Sequence, residues 1–191
     1  MKLESSMRKG RVGMLEKLSG KKVLIITVIF VLFTSIVLPM VAHYSTVWIG
    51  VAESPDTGFG MSLVDYYSIR DNYGSEGRKI YTILRFTFDI VWPIVYGVFL
   101  FTSIFYLNKI TNVFKKIKIH YIALLAVLFD FFENILAVIF MNTHPKEIDF
   151  LVYLLRTVSY IKWLFVGGSF VFIIVLFVIH IYREVFNHET I

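Results

Sequence analysis

The chain has 191 residues, 57% of them apolar, and carries 19 Lys and Arg against 14 Asp and Glu, a net charge of +5. A mean hydropathy of +0.72, with the apolar residues gathered in four long runs, excludes a soluble globular domain. The absence of cysteine excludes disulfides, thiolate nucleophiles and sulfur-ligated metals.

Residues 1–22 form a basic arm with Lys2, Arg8, Lys9, Arg11, Lys17, Lys21 and Lys22 against Glu4 and Glu16. It reads as a topogenic cytoplasmic tail, contact with anionic lipid being the alternative. The first apolar run, Val23 to Ala42, is long and lacks a small-x-small cleavage site, which favours a retained helix over a signal peptide. Pro39 fits a helix about to leave the membrane.

Residues 43–79 form the longest polar segment and the expected outer loop. Pro55, Gly58 and Gly60 make its first part irregular. From Met61 to Tyr73 the spacing of Leu63, Tyr66, Tyr67, Ile69, Arg70 and Tyr73 predicts a short amphipathic helix. Its tyrosines suit a membrane interface, so it is expected to lie along the outer surface and cap the bundle. Gly74-Ser75-Glu76-Gly77 is expected to break it before the second span.

The second span, Ile80 to Leu107, contains Arg85, Asp89 and Pro93. Proline at 93 removes the amide that would bond the carbonyl of residue 89 and predicts a bend there. Arg85 is one turn from Asp89, a spacing that permits an ion pair. Residues 108–119 carry Lys109, Lys115, Lys116 and Lys118 and no acid, which places them in the cytoplasm. The third span, 120–141, holds Asp130, Glu133 and Asn134 on one helical face. The fourth run, Phe150 to Tyr182, carries Arg156 and Lys162. At about 50 Å it exceeds a core of about 30 Å, so it must tilt, project or loosen at Gly167-Gly168.

The expected fold is all-α: one membrane domain over 1–191, a four-helix bundle with both termini cytoplasmic and an extracytoplasmic cap helix. On that topology Arg85, Asp89, Asp130, Glu133, Arg156 and Lys162 fall in the outer half of the membrane, roughly 8–18 Å deep. Each charge costs about 3 kcal/mol at a helix centre, so pairing or hydration must offset most of it.

Two arrangements answer that demand. One is an ion-pair network that fixes helix against helix; the other is a polar pocket open to the outside. In a pocket, Glu133, Asp130 or Asp89 would supply acid/base chemistry, with Ser159, Tyr96 and Tyr160 as neighbours. Asp89, Asp130, Glu133 and Asn134 are also hard ligands fit for calcium or magnesium, but the adjacent cations compete for the carboxylates. His43 and His144 are expected at the outer rim, and His120 and His180 on the inner side. No cofactor is expected. The basic residues flank spans rather than form a patch, so the expected partners are the bilayer and a lipid or small polar ligand, not nucleic acid.

Gly74-x-x-Gly77-Arg78-x-x-Tyr81, Asp89-x-x-x-Pro93-x-x-Tyr96, Asp130-x-x-Glu133-Asn134 and Lys162-Trp163 together resemble a pattern in small four-span membrane proteins of bacteria. The resemblance covers about residues 65–165. It implies a fold and adds Arg78 and Tyr81, at the outer mouth, to the site; it implies no activity. The leading expectation is a protein that binds or moves a polar headgroup, small ion or proton in an outward-facing charged pocket. The alternatives are a membrane enzyme acting on a lipid or lipid-linked substrate, and a structural or partner-binding protein.

Overall fold

The computed structural model describes residues 17–51, 53–55, 60–114 and 116–187. The expected basic residues before Lys17, together with Asp56, Gly58 and Lys115, lie outside them. Among the described residues there is no strand, and four helical segments are long and apolar enough to cross a membrane: Gly20–Ile49, Gly74–Thr111, Ile119–Asn142 and Asp149–Phe186.

The first segment comprises α1 (Gly20–Leu32), a π-helical turn (Phe33–Val37) and α2 (Leu38–Ile49). It does not end near Pro39, as the sequence predicts. The widened turn, in which the Leu38 amide bonds the Phe33 carbonyl, lets the chain absorb the amide that Pro39 lacks and continue to Ile49. Gly50, at φ +78°, then stops it. No residue of α1 or α2 is buried. The segment leans on the rest of the bundle through the Gly74–Thr111 segment, with the Phe30 ring stacked 4.1 Å from Phe99.

Helix α3 (Leu63–Asn72) opens with a capping box in which Ser62 and Asp65 satisfy each other's backbone amides. Those bonds hold the Asp65 carboxyl below its ordinary range. Tyr66, Tyr67 and Ile69 are buried in one cluster with Phe140, Met141, Val152 and Leu155 from the ends of α6 (Ile122–Asn142) and α7 (Asp149–Asn187). Burial, aided by its bond to Asp149, pushes the Tyr67 phenol up to about 12.

The break before the second span falls at Gly74 alone, and Ser75, Glu76 and Gly77 already belong to the first turn of α4 (Gly74–Phe86). Gly74, at φ +59°, makes the corner, and Glu76 suits the positive end of the helix that follows. α4 ends at Thr87, and α5 (Phe88–Thr111) begins immediately beyond. The interruption therefore falls six residues before Pro93, around which α5 runs on. Thr87 stabilises it: its hydroxyl donates to the Ile83 carbonyl at 2.7 Å, one of the groups a helix end leaves open. α7 likewise runs through Gly167-Gly168 unbroken, about 58 Å of helix.

Small residues govern how closely α5 and α6 approach. Ala123 and Ala126 are fully buried on α6 against Tyr96, Phe99 and Leu100, and a Cβ added to Gly97 would collide with Val127. The interior then stacks in layers. The α3-end cluster holds Ala137 and Phe140, a middle cluster holds Tyr96, Leu100 and Ala126, and a third holds Ile104, Leu107 and Leu176. Asp130, Glu133 and Asn134 fall between the first two.

The ends differ in charge. Gly20 lies against Tyr106, and the Arg183 guanidinium donates to the Thr111 carbonyl, so these residues share the end opposite α3. Lys17, Lys21, Lys22, Lys109, Lys116 and Lys118 flank the helices there, while Glu53, Asp65, Glu76, Glu147 and Asp149 flank the α3 end.

Candidate functional site

The interruption at Thr87 sets the site. It puts Arg85 in the last turn of α4 and Asp89 in the first turn of α5. Each charge thus sits at the helix end whose dipole favours it. Arg85 Nε and Asp89 Oδ2 pair at 3.3 Å, and the guanidinium lies 4.6 Å over the Tyr81 ring.

Asn134 joins this pair to α6. Its Oδ1 accepts from Arg85 Nη1 at 2.8 Å, and its Nδ2 donates to the Asp89 carbonyl at 2.9 Å. That carbonyl is the one Pro93 leaves without an in-helix partner, so a side chain from the neighbouring helix takes the place of the missing amide. The same Nδ2 reaches Asp130 Oδ1 at 3.3 Å, and the Tyr96 hydroxyl donates to Asp130 Oδ2 at 2.9 Å. A chain of polar contacts therefore runs Asp89–Arg85–Asn134–Asp130–Tyr96 across three helices.

Glu133, on the adjoining stripe of α6, turns to α7 and pairs with Lys162, whose ammonium also lies 4.9 Å from the Trp163 ring. Glu133 has no exposed surface. Ser159, one turn from Lys162, is buried, and its hydroxyl makes no hydrogen bond among the described residues.

Two expected members stand apart. Arg78 donates to the Arg70 carbonyl and meets His144 Nδ1 at 3.4 Å, at the α3 end. Arg156 lies partly exposed beside Tyr160 and reaches the Met61 carbonyl, while Tyr160 accepts from the Gly60 amide; together they tie the residues before α3 to α7. Tyr81 does join the site, buried edge-to-face against Tyr73 at 5.6 Å. Of the histidines, His144 is at the α3 end and His43 stands against Tyr44 on α2. His120 is boxed by Phe101, Phe105 and Tyr121. Among the described residues no group of three His, Asp or Glu side chains could hold a metal.

A cavity of about 170 Å³ opens between α2 and α4. Leu38, Val41 and Ile49 give it an apolar wall; Tyr81, Arg85 and Asp89 give it a polar one. Asp130, Glu133 and Lys162 do not line it. Asp89 keeps 23% of its side-chain surface accessible, against 8% for Arg85 and none for Glu133. No family model, curated protein or solved structure matches this chain.

Arg70 is the participant that spacing did not single out as a buried charge. It lies on the buried face of α3, 1% exposed, against the rings of Tyr67 and Phe140, with Nη1 donating to the Lys146 carbonyl at 2.8 Å. The i, i+3, i+4 face with Tyr66, Tyr67 and Tyr73 was the available signal.

Proposed function

We propose that this is a multi-pass membrane protein that binds the polar headgroup of a lipid-like amphiphile in the cavity beside its first span. Arg85 and Asp89 recognise the headgroup, and the apolar wall of α2 receives the adjoining chain. The observation that carries this reading is the placement of the Arg85–Asp89 pair on the cavity wall, with Asp89 the accessible end of an otherwise buried network. A first span with no buried residue is one that side-on entry from the bilayer displaces at little cost in packing. Acid/base chemistry on a bound lipid, the enzymatic alternative, falls to Asp89, since Asp130 and Glu133 lie away from the cavity. For Glu133 and Lys162 full burial favours the structural reading.

Native mass spectrometry in the presence of short-chain phosphatidylethanolamine or phosphatidylglycerol tests the proposal. The native chain should retain one lipid. Asp89→Asn and Arg85→Met should each weaken retention about ten- to hundredfold, the worth of one charge-assisted hydrogen bond. Equal retention by all three chains would refute a headgroup site at this pair.

The orientation we propose puts the lysine-flanked end and both termini in the cytoplasm and α3 outside, by the usual bias of basic residues. The chain has no cysteine of its own. Ser75→Cys and Lys116→Cys, both at exposed positions, should therefore report sidedness cleanly in intact cells. An impermeant maleimide should label the first and spare the second; the opposite pattern inverts the topology.

A further inference from the structure

We propose that the cavity beside the first span selects an amphiphile whose headgroup ends in a primary ammonium, as in phosphatidylethanolamine. The inference rests on the headgroup reading and narrows it from a polar group to a cationic hydrogen-bond donor.

The charge that reaches the cavity is the negative one. Among the described residues, the charged side chains on its lining are Arg85 and Asp89. The guanidinium is turned into the bundle. Its Nε bonds Asp89 at 3.3 Å, its Nη1 bonds Asn134 at 2.8 Å, and its face lies 4.6 Å over the Tyr81 ring. It keeps 8% of its side-chain surface accessible and the carboxylate keeps 23%. A ligand in the cavity therefore meets more of the anionic partner than of the cationic one, and Arg85 orients that partner from behind.

The hydroxyls on the lining have the same sense. Ser45 Oγ and Thr46 Oγ1 both donate to the Ala42 carbonyl at 2.9 Å, and the Tyr73 hydroxyl donates to the Glu53 carbonyl at 2.8 Å. A hydroxyl has one hydrogen and two lone pairs, so with those hydrogens committed the three oxygens can serve a ligand only as acceptors. With Asp89 they form an acceptor surface drawn from α2, α4, α5 and the corner before α4. A phosphate oxygen is itself an acceptor and gains nothing from these oxygens. A quaternary ammonium has the charge but no N–H. A primary ammonium has the charge, three donors and no acceptor. Tyr73, Tyr81 and Phe88 add aromatic surface to the same lining, a surface that ammonium groups favour. The volume of about 170 Å³ suits an ammonium on a two-carbon linker, since a cavity of about 150 Å³ takes a benzene.

Native mass spectrometry of the full chain in detergent tests this. Phosphatidylethanolamine, phosphatidylcholine and phosphatidylglycerol with the same short acyl chains are supplied at equal concentration. The ethanolamine lipid should be retained about tenfold or more over either of the others, the worth of one charge-assisted hydrogen bond. In Asp89→Asn that lead should disappear. Thr46→Val keeps the side-chain shape at an exposed position and removes one acceptor. It should lower ethanolamine-lipid retention about fivefold and leave the glycerol lipid unchanged. If Asp89→Asn does not fold, Thr46→Val decides. Choline or glycerol lipid retained as strongly as the ethanolamine lipid overturns the ammonium assignment and leaves the headgroup site standing. A lead that survives intact in both variants overturns the assignment as well, and retention of no lipid overturns both readings. Free ethanolamine at the same concentration should displace nothing. Displacement of the lipid by it would keep the ammonium assignment and overturn the amphiphile reading.

Discussion

Glu133→Gln and Lys162→Met, made singly, are expected to cost about 3–5 kcal/mol each in detergent, because each leaves a buried charge without its partner. Glu133 is wholly inside the bundle and the Lys162 side chain nearly so, so water is not at hand to take the place of the lost group. The double replacement should recover most of the loss, since two apolar or neutral groups of similar size need no partner. Denaturation of the four chains checks this as a double-mutant cycle. A strong coupling between the two losses marks the pair as a structural tie between α6 and α7. Mild single losses would mean that water reaches Glu133 and that the pair belongs to an open pocket. Asp89→Asn should behave in that milder way, because its carboxylate is already partly solvated.

These contrasting expectations arise because the structure divides what the sequence presents as one set. Counting residues along each span puts Arg85, Asp89, Asp130, Glu133, Arg156 and Lys162 at similar depth, and helical periodicity puts Asp130, Glu133 and Asn134 on one face. Both inferences depend only on distances along a helix, and so does the pairing of Arg85 with Asp89. Which helix each face meets depends on rotation about the helix axis, and that is decided by packing. Gly97 and the buried alanines of α6 bring α5 close enough for Tyr96 to reach Asp130. Glu133, a quarter-turn or so around, meets α7 instead. Arg156 has the wrong azimuth and serves the residues before α3.

The same distinction accounts for the helix ends. Proline at 39 and 93 and glycine at 167 and 168 are real weaknesses of a helix in isolation. In the hydrocarbon setting we propose for these helices, however, every backbone group must be satisfied, so a long apolar run holds together wherever any alternative partner exists. A π turn supplies it before Pro39. At Thr87, which carries no such warning, the hydroxyl can cap the end of α4, and the opposed charges of Arg85 and Asp89 stabilise the ends on either side. The interruption falls there instead.

Asn134 carries the second large effect. Asn134→Leu keeps the heavy-atom count and branching but removes one acceptor of the Arg85 guanidinium and the donor to the Asp89 carbonyl and Asp130. The Arg85 guanidinium keeps Asp89 but loses one buried acceptor, and the Asp89 carbonyl and Asp130 each lose a donor, at roughly 1–3 kcal/mol per bond, so a total loss of about 3–5 kcal/mol is expected. Proline supplies an internal control. Pro93→Ala alone restores an amide able to bond the Asp89 carbonyl, which Asn134 already serves, and should change stability little. In the Pro93→Ala background that carbonyl no longer depends on α6, so Asn134→Leu should cost about 1 kcal/mol less than in the native chain. Thermal or denaturant unfolding of the four chains in detergent measures that difference. A strictly additive cycle would show that the Asn134 amide does not replace the bond Pro93 removes. A positive coupling would mark the proline and the asparagine, one on each of two helices, as two halves of a single joint.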